Sequence, residues 1–148
     1  MTTTTRTTKS TRTRPPTATT APPPAATTAP APTPTPTPAA TFVDPATIES
    51  LPWQPLEGFD GVTYKLLWRS GKSVAGIMHV PPGSAVSPHR HTWSHHHVWV
   101  LAGEGEMAGR PVVAGTYVHV GAGVDHDITP RGPDGVTVFY LYLREGPA

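Results

Sequence analysis

Histidine is the residue type whose number and spacing in this sequence suggest chemistry. The chain has eight histidines, all within residues 79–126. His89 and His91 are one residue apart, so in a strand both side chains point to the same face. A turn at Thr92–Ser94 would bring the next strand alongside, and one of the three consecutive histidines 95–97 would then face the same site. Converging imidazoles of this kind are typical ligands of a transition metal ion.

The elements that must position these side chains are predicted to be short strands. Runs rich in β-branched and aromatic residues alternate with Gly and Pro, and no window has the period of an amphipathic helix. The predicted strands are Val62–Arg69, Ser73–Val80, His95–Leu101, Thr116–Val120 and Val136–Leu143. The predicted breaks between them are Ser70–Lys72, Pro81–Gly83, Gly103–Gly105 and Gly121–Gly123, and Pro45–Ser50 is predicted to form one helical turn. This pattern favours an all-β antiparallel sandwich or barrel.

Composition divides the chain near residue 41. Residues 1–41 contain 17 Thr, 10 Pro and 8 Ala, and no aromatic residue, Leu, Ile or Val. Such a segment buries too little apolar surface to offset its ordering entropy, so we predict a disordered low-complexity tail. A flexible tail or linker, a targeting segment and an over-extended translation start remain open as its origin. Residues 42–148 are predicted to form one folded domain.

Composition also excludes several functions. The tail holds four of the eleven basic residues and no acidic one, so residues 42–148 have seven basic and ten acidic residues. This balance argues against nucleic-acid binding. Without cysteine there is no disulfide, thiolate metal site or Cys nucleophile. No apolar run approaches the length of a membrane span, and no secretory signal is evident. We therefore expect a cytoplasmic protein with no membrane partner.

The histidine segment resembles the first motif of the cupins. That motif has Gly, five residues, His, one residue, His, three or four residues, Glu, six residues and Gly. Gly83, His89, His91 and Gly103 match it at every spacing, and His96 occupies the position that usually holds Glu.

A second stretch resembles the other cupin motif, which has Gly, five residues, Pro, one residue, Gly, two residues, His, three residues and Asn. Gly115, Gly123 and His126 match it. Gly121 replaces the usual Pro, and Pro130 replaces the usual Asn. Two spaced motifs in the right order are far more specific than a lone His-x-His pair.

The resemblance covers roughly Val74 to Leu143 and implies a double-stranded β-helix, the jelly-roll barrel of the cupins. It implies four metal ligands: His89, His91, His96 and His126. Cupins commonly use three His and one Glu, and replacing Glu by His makes a bound ion more cationic and less suited to Mn²⁺. We expect one divalent transition metal ion per chain, with zinc favoured over iron or nickel.

Three functions are consistent with this resemblance. Resemblance to the small cupins that act as zinc-binding aromatic polyketide cyclases implies Lewis-acid chemistry on a small enolisable or aromatic carbonyl compound. Cupins similar to the diketone-cleaving dioxygenases imply an Fe(II) or Ni(II) enzyme for a diketone or aromatic substrate. Cupins of the ChrR type imply a non-catalytic metal or ligand sensor. The first is our leading expectation, with a small-molecule substrate, no assigned catalytic residue, and a homodimer as a possible assembly by analogy.

Several other residues are weaker candidates for the metal site or its surroundings. His95 or His97 could replace His96 if the turn before them differs by one residue. His79 and His119 are expected to have structural or pocket-lining roles, and His119 is also a candidate base. Asp125 or Asp127 could orient a ligand imidazole. Pocket-lining or packing roles are open for six aromatic residues: Trp68, Trp93, Trp99, Tyr117, Tyr140 and Tyr142. Glu104 and Glu106 are expected in a solvated turn.

Overall fold

A computed structural model describes residues 40–144 of the chain. Within this part it contains one short helix and nine strands. They are α1 (Pro45–Ser50), β1 (Gln54–Pro55), β2 (Thr63–Ser70), β3 (Ser73–Val80), β4 (Val86–His89), β5 (Ser94–Met107), β6 (Arg110–Val113), β7 (Tyr117–Val120), β8 (His126–Pro130) and β9 (Val136–Arg144). The predicted tail, residues 1–41, lies almost entirely outside the described residues. No helix in the described part is long and apolar enough to cross a membrane.

The strands form one curled antiparallel sheet that closes into a half-barrel, as the cupin resemblance implied. The strand order is β1-β2-β3-β9-β5-β8-β4, and β6 and β7 also pair with β5. The N-terminal half of β5 pairs with β7 and β9, whereas its C-terminal end pairs with β6 and β8. One 14-residue strand therefore carries the sheet around the curve.

The curve in β5 coincides with residues that the sequence predicted to be a turn. Gly103–Gly105 lies inside β5, and the hairpin turn falls instead at residues 108–109, so that prediction was wrong. The register with β9 shifts between Val100 and Ala102. Gly103 has φ +78°, and a Cβ there would overlap the backbone carbonyl oxygen of Gly135. Gly103 therefore marks a close approach of two backbones just after the register shift, and glycine serves such contacts as well as turns.

The core lies on the concave side of the sheet, where alternate residues of each strand meet. Val98, Val100 and Val138 are at most 1% exposed, and Ile128 is 2% exposed. Burial of such side chains stabilises the fold by about 1.5–3 kcal/mol each. This apolar layer fixes which face of each strand points inward, and so determines which histidines enter the barrel.

Most predicted strands are present, but four observed strands were missed: β1, β4, β6 and β8. β2, β3, β7 and β9 match their predicted runs to within one residue at each end, and α1 matches the predicted helical turn. β4, β6 and β8 have only four or five residues, and each contains a proline, so they lacked a strand signal. β4 pairs with β8, so the strand after the turn at 92–94 does not lie beside it as expected.

Candidate metal centre

Three histidines from β4, β8 and the loop after β4 converge at one end of the barrel. One ligand nitrogen each from His89, His91 and His126 lies within 4.8 Å of the other two. His89 and His126 are cross-strand partners, so the β4–β8 pairing itself brings their rings to 4.3 Å between centroids. His91 follows two residues later, with its ring centroid 4.9 Å from that of His89. The spacing that the sequence singled out thus forms a compact imidazole cluster.

Backbone carbonyl groups fix the orientation of two of these rings. The Nδ1 atom of His89 lies 2.9 Å from the carbonyl oxygen of Ser87. The Nδ1 atom of His126 lies 3.1 Å from the carbonyl oxygen of Val124. Because a carbonyl oxygen only accepts, each neutral ring carries its proton on Nδ1 and has a lone pair on Nε2. This arrangement is common behind metal-ligating histidines.

His96 adjoins the cluster from β5 but lies outside the three-nitrogen group. It is 2% exposed, and its ring stacks on Tyr142 at 4.2 Å between centroids. Its Nδ1 atom lies 2.9 Å from Nε2 of His126. Two nitrogens bound to one tetrahedral ion at ~2.0–2.1 Å would be about 3.3 Å apart. For His96 to act as a fourth ligand, its ring would therefore have to shift by several tenths of an ångström.

The donor set fits a transition metal ion. The Nε2 atoms of His91 and His96 are buried and have no hydrogen-bond partner. A buried polar atom without a partner costs about 1–3 kcal/mol, and coordination through Nε2 of His91 would remove that cost for this ring. Burial, reinforced by the neighbouring imidazoles, lowers the pKa of His91 to about 4 and that of His96 to about 2. Burial also lowers the pKa of His126. These three rings are neutral at pH 7, which is the form that binds metal.

The other two residues of the histidine run point to the convex face. His95 Nδ1 lies 2.7 Å from Nε2 of His119, and His97 Nδ1 lies 2.7 Å from the hydroxyl oxygen of Tyr117. Only His96 of the three consecutive histidines faces the barrel interior. The convex position of His119 also removes it as a base for chemistry at the cluster.

Two aspartates that flank His126 have other partners. Asp125 forms an ion pair with Arg90 at 2.7 Å. Asp127 accepts a hydrogen bond from the backbone N–H of Ala108. Neither orients a clustered imidazole, and the backbone carbonyl groups do so instead. His79 lies away from the cluster, with Nδ1 2.9 Å from the hydroxyl oxygen of Thr137.

A cavity of about 210 Å³ lies next to the cluster on the concave side of the sheet. It is lined by Leu56, Tyr64, Val74, Met78, Tyr140 and Tyr142, together with Arg69. Tyr142 lies between the cavity and the histidine cluster, because its ring also contacts His91 at 4.5 Å between centroids. Two of the aromatic candidates therefore line this cavity. Trp68, Trp93, Trp99 and Tyr117 are 37–65% exposed and do not.

Arg69 was not a candidate from the sequence. Its position depends on a register shift in β2 between Leu66 and Trp68. Strict alternation from Tyr64 would point Trp68 inward, whereas the bulge places Arg69 opposite Val74 on the cavity side. A one-residue bulge leaves no reliable mark in a single sequence.

Residues 43–144 match the family described as the ChrR cupin-like domain. The chain belongs to this cupin family. The cupin structure is similar to that of a predicted oxalate decarboxylase from Thermotoga maritima, with 22% identity, a TM-score of 0.62, and coverage of 71% of this chain and 100% of that one. It is also similar to KdgF from Halomonas sp., with 20% identity, a TM-score of 0.56, and coverage of 66% of this chain and 92% of that one.

A third similar structure is the anti-sigma protein ChrR of Rhodobacter sphaeroides, solved in complex with SigE. It shows 24% identity and a TM-score of 0.51, over 66% of this chain and 50% of that one. No curated protein matches the chain. At these identities the solved structures establish the cupin fold, and function has to be argued from the site.

Proposed function

We propose that this cupin binds one divalent transition metal ion per chain and acts on a small enolisable or aromatic carbonyl compound. His89, His91 and His126 would hold the ion, with His96 as the fourth ligand. The observation that carries the proposal is the convergence of three ring nitrogens within 4.8 Å beside buried nitrogens that have no partner. A neutral four-imidazole set suits Zn, Cu, Fe or Ni, and we favour zinc over iron or nickel.

When bound, such an ion supplies Lewis acidity toward a carbonyl or enolate oxygen, as in cyclase-type chemistry. The residues of the chain supply the orientation and the apolar surroundings. Backbone carbonyl groups hold His89 and His126 in one tautomer. Tyr142 separates the cluster from a cavity of about 210 Å³. This volume favours a substrate of few atoms over a multi-ring polyketide.

Elemental analysis of tag-free protein, purified without added metal, tests this proposal. We expect about one zinc per chain, and turnover of small ketones or keto acids that disappears on chelation. About one iron or nickel per chain would redirect the assay to oxygen uptake with diketones and dihydroxylated aromatics, and so to a dioxygenase. A content below about a tenth of an equivalent that added metal does not restore would contradict metal-dependent activity.

A second candidate is a non-catalytic sensor that responds to metal or ligand through a protein partner. The match of residues 43–144 to the ChrR cupin-like domain favours it, and the related ChrR was solved bound to SigE. A sensor would bind ligand without turnover and would change its affinity for a partner in response. Chelator-sensitive turnover of a small carbonyl compound would favour the enzyme. We expect a cytoplasmic location in either case, and a homodimer is testable by sedimentation.

A further inference from the structure

We propose that the cavity beside Tyr142 is a binding site for a small carboxylate and that Arg69 binds its anionic end. This inference names the ligand class for the proposed function. It rests on the proposed function only in assuming that a metal ion at the histidine cluster acts on the bound ligand. It begins from the bulge in β2. The bulge turns Arg69, rather than Trp68, to the cavity side, opposite Val74 of β3. A device that re-aims one side chain beside a site is a common use of a β-bulge.

Arg69 has no anionic partner in residues 40–144. Two other arginines of the same fold are neutralised, because Arg90 pairs with Asp125 and Arg131 pairs with Glu106. Arg69 forms no comparable bond, and none of the residues that line its cavity is acidic. Its guanidinium is therefore the one charged group facing this cavity within the described residues. A planar guanidinium fits a carboxylate in a two-bond geometry that a neutral ligand cannot offer.

Two tyrosines provide hydroxyl donors in the same cavity. Burial raises the pKa of Tyr140 to about 12, so its hydroxyl keeps its proton, and Tyr142 lines the same cavity. Gly76 makes room for Tyr140, since a Cβ at position 76 would lie 2.5 Å from the phenolic oxygen. Tyr64 is already engaged with Gln54. The cavity thus offers one cation and the phenol groups of Tyr140 and Tyr142, which together suit an anion.

The shape of the cavity limits the ligand further. Its 210 Å³ is lined by the apolar side chains Leu56, Val74 and Met78, so a short hydrocarbon segment would be favoured between the polar ends. Tyr142 forms the wall that the cavity shares with the histidine cluster. The cavity is smaller than the ~300–1,000 Å³ pockets that take drug-sized ligands, which favours a ligand of few atoms. A keto acid with its carboxylate at Arg69 and its carbonyl toward Tyr142 meets these requirements.

Isothermal titration with levulinate and its neutral isostere levulinamide tests the inference. The full chain is used, both as purified and after chelation, with the variants Arg69→Gln and Arg69→Lys. Arg110→Gln serves as the matched control, because Arg110 is exposed on β6 and does not line this cavity. We expect wild type to bind levulinate at least tenfold more tightly than levulinamide. Arg69→Gln should abolish this preference, Arg69→Lys should keep part of it, and the control should leave it unchanged.

Several outcomes would overturn the inference. A preference for levulinate that survives in Arg69→Gln would place the carboxylate elsewhere, for example on the bound ion. Failure of wild type to bind either compound would also refute it. Thermal unfolding of each variant checks its folding, and Arg69→Lys preserves the charge if Arg69→Gln is unstable. Metal analysis of the same samples separates the two proposals. An Arg69-dependent preference in a protein that never holds metal would contradict the proposed function and support this inference.

Discussion

The metal-free protein should lose stability steeply on mild acidification, and His96 should account for a measurable share of the loss. His96 is 2% exposed, and burial lowers its pKa from 6.5 to about 2. A histidine with a depressed pKa in the folded state favours folding at pH values above its unfolded pKa. As the pH falls below 6.5, the unfolded chain takes up a proton that the native ring does not, so the free energy of unfolding falls.

The size of this effect follows from the two pKa values. Between pH 7 and pH 5 the native ring of His96 stays neutral, whereas its unfolded counterpart becomes almost fully protonated. At 1.36 kcal/mol per pKa unit, His96 alone should lower the free energy of unfolding by about 2 kcal/mol over this interval. That is a large part of the stability of a small domain, which is typically ~5–15 kcal/mol.

Urea unfolding of chelator-treated protein at pH 7 and pH 5 measures the loss. In His96→Gln, which keeps a polar group of similar size but does not titrate, the loss should shrink by about 2 kcal/mol. Val98→Ala is the matched control: Val98 lies in the same strand and is fully buried, so its truncation should lower stability at both pH values without changing the difference. If His96→Gln lost as much stability as wild type on acidification, the reasoning about His96 would be refuted.

Three further predictions concern the ligands and the bend in β5. His126→Ala should lower metal affinity by at least about tenfold while the far-ultraviolet circular dichroism stays unchanged, and unaltered affinity would remove His126 from the ligand set. His96→Glu should keep metal bound, measured by elemental analysis, because Glu at this position restores the commoner cupin ligand set; loss of metal would place the fourth ligand elsewhere. Gly103→Ala should lower the urea midpoint more than Gly109→Ala. Both glycines have positive φ, which costs about 1–2 kcal/mol for other residues, but only at 103 would the new Cβ overlap the Gly135 carbonyl oxygen. Equal midpoints would contradict this account.

The sequence predicted the barrel and the histidine cluster better than it predicted their connections. Spacing alone placed His89 and His91 together, and the structure brings His126 to them across the β4–β8 pair. Alternation within β5 could not decide which member of the histidine run points inward. Both faces of this strand are apolar: Val98 and Val100 point inward, and residues 99 and 101 point outward. The sequence pattern therefore does not show which face is buried. Only the resemblance to the cupin motif favoured His96.

What sequence reasoning missed depends on backbone geometry. The bulge between Leu66 and Trp68 decides that Arg69 faces the cavity, yet neither residue is a glycine or proline that would mark it. The glycines at 103 and 105 gave a false turn signal, because glycine serves tight turns and close strand contacts equally. The orienting partners of the histidines are the carbonyl groups of Ser87 and Val124. Every residue has a carbonyl group, so no side-chain pattern could reveal this role.

The run of three histidines also has a consequence for how the metal centre is assembled. If β5 slipped by one residue in either direction, His95 or His97 would still present an imidazole where His96 now lies. A chain with β5 in a shifted register would therefore still offer a metal a full set of donors. Metal binding would then not favour the native register over the shifted one. The glycine contact at Gly103, which a slipped strand would lose, therefore supports the apolar core in selecting the correct register. Metal supplied before the sheet has closed could trap the wrong register, so metallation after folding should give the more homogeneous protein.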